Sequence, residues 1–330
     1  GPAQRTVRFR TPTVASAFPI RRELGFQVPG GNAEGLAIEM ACQLPAEADP
    51  ANLRVLFAGG ASTPAQFESG KDSQGKLVFV LPAGVPAGNT QAELLATRKG
   101  QESGVYPPAS QFTVPKDGSR LVFGTYSLTL HQGTLTDIAV HQPDGSELTV
   151  VSSIIESSKE TGWSSEPGEL TDFALEELGP VRAVFRMAKT LEGGYKLTRR
   201  FLFYADRFEV VSSCEPHRSL LTRTMYAVDG IAVKGSGGQA VMDGVGDNED
   251  FGFAGQPQWF AAFGPKYRSA CFALTPAGGF TYWDSGTHRG QMGLGCPGTT
   301  ERRVFLWGQG TDSTDFAKEI WKAYAETLAK

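Results

Sequence analysis

The sequence lacks several features that mark large classes of protein. Its four cysteines have no Cys-x-x-Cys spacing, which argues against a zinc site and against a thioredoxin-like motif. Because a β-protein of 330 residues can fold stably without disulfide crosslinks, we expect the cysteines to be unpaired thiols. No apolar run reaches the roughly 18 residues that a membrane span needs, and no basic amphipathic helix is visible. A membrane partner is therefore not expected.

The sequence also lacks known catalytic signatures and a large excess of charge of one sign. The sequence contains no phosphate-binding loop, HExxH or GxSxG motif and no glycine fingerprint that opens a predicted helix, so nucleotide-dependent, zinc-protease and serine-hydrolase chemistry are weak interpretations. The net charge is −4, and lysine and arginine are scattered, so nucleic acid is an unexpected partner. The chain begins with Gly1 and Pro2, as a tag-cleavage scar or a mature N-terminus would, and we expect a secreted or periplasmic protein.

Turn-forming and aromatic residues are abundant. The 40 glycines, 20 prolines and 21 phenylalanines predict many short strands in an all-β protein. Residues 1–115 carry short apolar runs and predict a small β-sandwich or barrel. Within it, alternation of Leu77, Phe79 and Leu81 predicts a strand half exposed to water. A Pro-rich connector places the domain boundary near residue 116.

Residues 116–330 predict a large antiparallel β-sandwich. Long apolar strands are joined by tight turns at 143–145, 192–194 and 205–207, which is typical of a meander. Residues 229–256 are expected to form a long loop. From Thr314 to Ala329 the apolar residues recur with a helical period, which predicts one C-terminal helix; they are Phe316, Ile320, Trp321, Tyr324 and Leu328.

Two segments resemble a known family. The run LEELGPVRAVFRMAKTLEGGYKLTRRFLFYADRFEVVSS at 175–213, and the preceding TLTDIAVHQPDGSELTV, are similar to the sandwich domain of rhamnogalacturonan exolyase-like proteins and related bacterial polysaccharide-degrading enzymes. The resemblance covers roughly 119–228 and implies a β-sandwich that handles polysaccharide. Those enzymes usually carry a large helical toroid, for which this chain has no room. Catalytic residues on such a toroid are therefore not carried over.

Cleavage beside a uronic acid by β-elimination needs a cation for the carboxylate, a base for the C5 proton and an acid for the leaving oxygen. The segment TYWDSGTHRGQMG gathers such groups in what we expect to be a Gly-rich loop after a strand. In it, Trp283 is predicted to stack on a sugar, with Asp284 beside it in the binding site. His288 is predicted to move a proton and Arg289 to pair with a carboxylate. A solvated hairpin with a buried tryptophan is the alternative.

Further candidates lie on the preceding strands and in one acidic loop. Tyr226 and His131 are predicted catalytic residues, and Arg223, Trp163 and Trp259 are predicted to bind substrate. Arg223 and Tyr226 are three apart, so a regular strand places them on opposite faces. No cofactor is required, but an acidic loop would suit calcium, with a solvated loop as the alternative; its candidate ligands are Asp247, Glu249 and Asp250.

Three kinds of function remain open from these residues. The first is a carbohydrate-active enzyme, a polysaccharide lyase acting on an acidic polysaccharide, with a glycoside hydrolase using paired carboxylates as the variant. The second is a non-catalytic carbohydrate-binding or accessory module. The third is a structural protein in which the sandwich joins partners. Under the first two, the expected partner is a polysaccharide or oligosaccharide.

Overall fold

The computed structural model describes residues 18–30, 33–70, 74–101, 112–157, 167–218, 220–227, 231–235, 238–242, 259–264, 266–273, 279–285, 288–296 and 300–308. All of its regular structure is antiparallel β-sheet, as the composition predicted. The chain divides into two compact units: residues 1–28 and 33–109 form the first, and residues 29–32 and 110–330 form the second. None of the described residues forms a helix that is long and apolar enough to cross a membrane. The predicted C-terminal helix lies outside the described residues.

The N-terminal unit contains one six-stranded sheet. Its strands are β1 (Ile20–Val28), β2 (Ala37–Gln43), β3 (Ala48–Phe57), β4 (Ser62–Ser69), β5 (Gln74–Val80) and β6 (Gly88–Arg98). They pair in the order β1-β6-β3-β4-β5-β2. Phe26, Phe57 and Phe79 meet edge to face at centroid distances of 5.3 to 6.3 Å. Val78 is as fully buried as Leu77 and Phe79, so β5 is covered on both faces rather than half exposed.

The second unit is built on two sheets. The seven-stranded sheet has the order β20-β21-β15-β10-β9-β8-β7. Its strands are β7 (Leu121–Val122), β8 (Tyr126–His131), β9 (Thr134–His141), β10 (Glu147–Ser157), β15 (Leu220–Tyr226), β20 (Gly279–Ser285) and β21 (His288–Cys296). The predicted turns at 143–145, 192–194 and 205–207 all form hairpins in this unit. In the first of them the Gly145 N–H donates a hydrogen bond to the Gln142 carbonyl oxygen at 3.0 Å.

The nine-stranded sheet has the order β11-β12-β13-β14-β22-β19-β18-β16-β17. Its strands are β11 (Gly168–Leu178), β12 (Ala183–Leu191), β13 (Lys196–Phe203), β14 (Arg207–Glu215), β16 (Ile231–Gly235), β17 (Gly238–Met242), β18 (Trp259–Gly264), β19 (Tyr267–Ala273) and β22 (Thr300–Gly308). The hairpin of β16 and β17 occupies part of the region that was predicted to be a long loop. That prediction was wrong for these ten residues.

The two sheets of the second unit share one core. Phe203 of β13 stacks on Phe123 of the other sheet's edge at 5.2 Å between ring centroids, and Phe208 stacks on Phe305 at 4.9 Å. Each of these rings is at most 3 % exposed. Burying one such side chain contributes roughly 1.5–3 kcal/mol relative to leaving it in water. The predicted two-sheet sandwich is therefore confirmed, held together by an aromatic layer.

Strand β11 lies at one end of the strand order in the nine-stranded sheet. Its pairing with β12 shifts register twice, between Leu170 and Asp172 and between Leu175 and Glu177. Its carboxylates contact arginines of the neighbouring strands: Glu176 lies 2.9 Å from both Arg186 and Arg200. The strand thus combines two bulges with a charged surface.

Candidate functional site

The outer surface of the seven-stranded sheet is polar. Along β8, Leu128 and Leu130 point into the core, so the residues between and beyond them face outward. The same alternation holds on β9, where Leu135 is a core residue, and on β10, where Ile154 is. We call the resulting surface the outer polar face. Its described side chains comprise Thr129, His131, Thr134, Thr136, Ser153, Ile155, Arg223 and Met225.

One cross-strand row crosses this sheet from β8 to β20. The backbone pairs run from Thr129 to Thr136, Ser153 and Met225, and continue in register to Gln291 and Trp283. Five inter-strand steps of about 4.8 Å give the row a length of roughly 24 Å. The described residues of the row are half-buried, so their polar atoms are available to a ligand. The row is long enough for several sugar rings.

Arg223 and His131 lie beside this row. Arg223 pairs with Ile155, and His131 pairs with Thr134 at the far end of β8. The strands that carry them are separated by β9 and β10, which places the two backbones roughly 14 Å apart. Arg223 is 9 % exposed, and this burial lowers the pKa of its guanidinium. His131 is exposed. A ligand that contacted both would have to extend over more than one sugar unit.

Tyr226 does not share the outer polar face. It is 3 % exposed and packs in the core between the two sheets, opposite Val151. Arg223 and Tyr226 thus occupy opposite faces of β15, as their three-residue separation predicted. Tyr226 also lies near Tyr267, whose hydroxyl pKa is raised mainly by burial and further by Tyr226. The arrangement around Tyr226 is that of a core residue.

The predicted loop around Trp283 is in fact a hairpin of two strands. Trp283 and Asp284 belong to β20, and His288 and Arg289 belong to β21. Ser285 pairs with His288, and the register shifts between Trp283 and Ser285, at Asp284. The Gly-rich loop expected here is therefore replaced by a hairpin, which was the alternative interpretation. The backbone brings all four to one end of the seven-stranded sheet, in the same sheet as Arg223 and His131.

The remaining candidates are elsewhere. Trp259 begins β18 of the nine-stranded sheet and is 6 % exposed. Trp163 and the proposed calcium ligands Asp247, Glu249 and Asp250 lie outside the described residues. Within the part of the chain that the structure describes, no three His, Cys, Asp or Glu side chains are grouped closely enough to hold a metal ion.

A polar cluster at the β7 end of the same sheet was missed by sequence reasoning. Ser127 donates a hydrogen bond to Glu147 Oε1 at 2.8 Å, and Arg120 contacts both residues, at 2.6 Å from Ser127. His141 Nε2 lies 3.4 Å from the same carboxylate, and its Nδ1 is 3.1 Å from the Gly124 carbonyl oxygen. The His141 Nε2 atom is shielded from solvent. These contacts connect Arg120 with strands β8, β9 and β10 at this end of the sheet.

Burial alone would raise the pKa of the Glu147 carboxyl. The hydrogen bond from Ser127 and the charge of Arg120 outweigh burial, so the pKa is lowered overall. The only sequence signal for this cluster was the tight turn at 143–145, which brings His141 opposite Glu147. The contribution of Arg120 comes from outside that hairpin and had no local signal.

A second missed group lies inside the sandwich. Arg199 of β13 is 4 % exposed and forms an ion pair with Glu156 of β10, across the two sheets. Arg303 of β22 is 3 % exposed nearby, and Thr222 of β15 is 5 % exposed. All four line one small cavity. Arg199 lies two residues from each of the core residues Leu197 and Phe201, so the two-residue period of a strand places its side chain on the buried face. This spacing was the sequence signal for the burial of Arg199.

The N-terminal unit carries a separate groove. It has a volume of about 470 Å³ and is lined by Glu23, Leu56, Phe57, Ala58, Gln91, Ala92 and Glu93. Its polar groups are carboxylates and an amide, which can hydrogen bond to hydroxyls. Phe57 is 4 % exposed, so its ring contributes to the floor rather than to an open stacking surface.

Comparison with known proteins does not identify a family for this chain. No protein-family model matches the sequence. No curated protein matches it either. Among solved structures, the chain is similar to a crystal structure of a candidate aldose 1-epimerase from Escherichia coli K12, with 9 % sequence identity and a TM-score of 0.40. That similarity covers 61 % of this chain and 100 % of the other. A likeness at this level carries no inference about the present chain.

Proposed function

We propose that this protein is a carbohydrate-active enzyme that binds an acidic polysaccharide along the outer polar face and cleaves it by β-elimination. The supporting observation is the row of hydroxyl side chains Thr129, Thr136 and Ser153, which continues in backbone register to Trp283. Hydroxyl groups both donate and accept hydrogen bonds, which suits a ligand covered with hydroxyls. The resemblance of 119–228 to polysaccharide-degrading proteins points to the same ligand class.

Two arginines supply the cations in this proposal, Arg289 for the sugar unit that is cleaved and Arg223 for a neighbouring unit. A guanidinium pairs with a planar carboxylate through two parallel hydrogen bonds and withdraws charge from it, which acidifies the neighbouring C5 proton. The low exposure of Arg223 strengthens such a pairing, because the local dielectric constant is lower than in water. Arg289 provides a second cation on β21.

A histidine serves as the base. His288 stands at the hairpin end of β21 next to Arg289, roughly 17 Å along the strand from Gly293, which pairs with Arg223. His288 is therefore the preferred base for the C5 proton beside a carboxylate held by Arg289, and Arg223 and His131 would contact neighbouring sugar units. Asp284 is placed between Trp283 and Ser285 at the register shift, where it contacts substrate hydroxyls in this scheme.

The proposal is tested by incubating the full chain with a panel of uronic-acid polysaccharides and following the ultraviolet absorbance of the unsaturated product. His288→Ala is expected to lower the rate by about 10²–10⁴-fold, the usual contribution of a general base. Arg223→Lys keeps the charge and loses the paired hydrogen bonds, so the apparent substrate affinity falls as well.

Arg186→Lys is the matched control for Arg223→Lys, because Arg186 is a partly exposed arginine on the nine-stranded sheet. Its rate should equal that of the wild type. Release of reducing ends without unsaturated product would show that the enzyme is a hydrolase rather than a lyase. Unsaturated product formed at full rate by His288→Ala would contradict the role given to His288.

A non-catalytic binding function has its own observation, the groove on the N-terminal unit. Glycan binding without any product, weakened by Gln91→Ala but not by Arg223→Lys, would favour this function. Lys99→Ala, an exposed change at the end of β6, is the control and should leave the affinity unchanged.

A further inference from the structure

The outer surface of the nine-stranded sheet is buried along one cross-strand row. The backbone pairs run from Val184 on β12 through β13, β14, β22 and β19 to Trp259 on β18. On β12, β13 and β14, core residues of the sandwich stand on both sides of the row, as Phe201 and Phe203 do on β13. The row therefore points away from the seven-stranded sheet. We call it the outer buried row; its described side chains are at most 6 % exposed, and they are Val184, Leu202, Glu209, Val304 and Trp259.

This burial needs a covering element. Leu306 points the same way as Val304 and is buried as well. Glu209 is fully buried and accepts a hydrogen bond from Arg302 Nε at 2.8 Å. Side chains on a sheet face that met water would be partly exposed, a carboxylate above all. The seven-stranded sheet lies on the opposite side and does not cover them. Because the burial is found within a single chain, the covering element belongs to the chain itself.

The size of the outer buried row indicates what kind of element covers it. Five inter-strand steps of about 4.8 Å separate β12 from β18, so the row is roughly 24 Å long. The helix that the sequence predicts over 314–329 would also be roughly 24 Å long, at a rise of about 1.5 Å per residue. One helix lying across the strands is therefore long enough to cover the whole row.

The chain also brings this segment to the right place. Strand β22 ends at Gly308, two residues beyond Leu306, and Thr314 follows six residues later. Six residues can span up to roughly 20 Å, which is enough for the chain to turn back over the sheet. The segment belongs to the same compact unit as the sheet. Its predicted apolar stripe would supply the contact surface, with Phe316, Ile320, Trp321, Tyr324 and Leu328.

We propose that residues 314–329 form an amphipathic helix whose apolar stripe packs on the outer buried row. Its opposite side carries Lys318, Glu319 and Lys322 and faces solvent. The helix closes the outer face of the nine-stranded sheet and shields Glu209 from water. The C-terminal segment is then a structural part of the sandwich, and the stability of the nine-stranded sheet depends on it.

The first test locates the helix by photo-crosslinking in the full chain. Trp321 is replaced by p-benzoylphenylalanine, the protein is illuminated, and the crosslinked peptides are identified by mass spectrometry. Adducts on β12, β13 or β22 are expected. The same replacement at Lys322, on the polar side, is the matched control and should give no adducts on these strands. Adducts from position 321 that fall only on other parts of the chain or on a second molecule would overturn the proposal, as would equal patterns from the two positions.

A double-mutant cycle measures the contact by a different route. Leu202→Ala and Ile320→Ala should each lower the urea midpoint of unfolding. Because both remove the same packing, the double variant should lose less than the sum of the two single losses. Val140→Ala, a core change on β9 of the other sheet, is the control: its loss should add to that of Ile320→Ala. Additive losses for Leu202→Ala and Ile320→Ala would contradict the contact. Neither measurement involves polysaccharide, so the result is independent of the proposed function.

Discussion

The hydroxyl of Tyr126 lies 2.9 Å from the carbonyl oxygen of Arg207 and donates a hydrogen bond to it. Tyr126 is on β8 of the seven-stranded sheet, and Arg207 begins β14 of the other sheet. The same hydroxyl is 3.0 Å from the Tyr204 carbonyl oxygen, across the turn at 205–206. One side chain thus links one sheet to the turn between two strands of the other.

Tyr126→Phe should lower the free energy of unfolding by about 1–3 kcal/mol. The ring and its stacking on Phe123 are kept, but the Tyr204 carbonyl loses the hydroxyl donor and the Arg207 carbonyl keeps only the Tyr204 N–H. Urea unfolding of the wild type and the variant measures the difference. Tyr195→Phe is the control: this tyrosine is half-buried and contacts Arg218 through its ring, so the change should stay within about 0.5 kcal/mol. Equal stabilities of the wild type and Tyr126→Phe would contradict the role of the hydroxyl.

The pKa of Glu147 predicts a stability term that depends on pH. The folded-state pKa is lowered, so the stabilisation is present above the unfolded value of about 4.3 and is lost as the pH falls through the folded value. Because the side chain is 40 % exposed, we expect less than about 1 kcal/mol at pH 7.

Urea unfolding of the wild type and Glu147→Gln, measured from pH 7 to pH 2, checks this prediction. The difference between the two should be largest near neutral pH and should shrink as the carboxyl is protonated. Glu169→Gln, an exposed change on β11, is the control. A difference that grew on acidification would show that the sign is wrong.

Gly133 and Gly145 have the same backbone φ angle, so the effects of replacing each by alanine can be compared directly. Both have φ of +81°, a conformation that disfavours any residue with a Cβ, so alanine costs about 1–2 kcal/mol at either position. A Cβ at Gly133 would lie 2.7 Å from Met187 Cγ, whereas nothing lies within 4 Å of a Cβ at Gly145. Gly133→Ala should therefore destabilise the protein by a further 1–3 kcal/mol or so. Thermal unfolding of both variants gives the difference, and equal losses would mean that Met187 moves aside freely.

Local sequence signals predicted the all-β class and the three hairpins with turns at 143–145, 192–194 and 205–207. The turns at 143–145 and 192–194 contain glycines with positive φ, whose preference is set by the residues themselves. The hairpin of β16 and β17 was missed, because its strands are short and its sequence is rich in glycine. Strand β21, which carries His288 in the hairpin with Trp283, was taken for a loop for a similar reason, since glycine at 286 and 290 hides the strand period.

The polar interior was harder to predict, because its members come from distant parts of the chain. Arg199 shares the phase of Leu197 and Phe201, but its partner Glu156 lies on another sheet. No local pattern encodes that contact. The candidate site was equally hard to predict as a whole. Alternation along β15 was enough to place Arg223 and Tyr226 on opposite faces. Only the strand order shows that His131 and His288 belong to the same sheet.

The end strand β11 has a consequence for behaviour at high concentration. A strand from another molecule that tried to extend the nine-stranded sheet there would meet a backbone interrupted by two bulges. It would also have to approach the ion pairs formed by Asp172 and Glu176 with Arg186. Irregular pairing and fixed charge together make β11 a poor template for a strand of a second molecule, so fibrillar stacking along this edge is disfavoured.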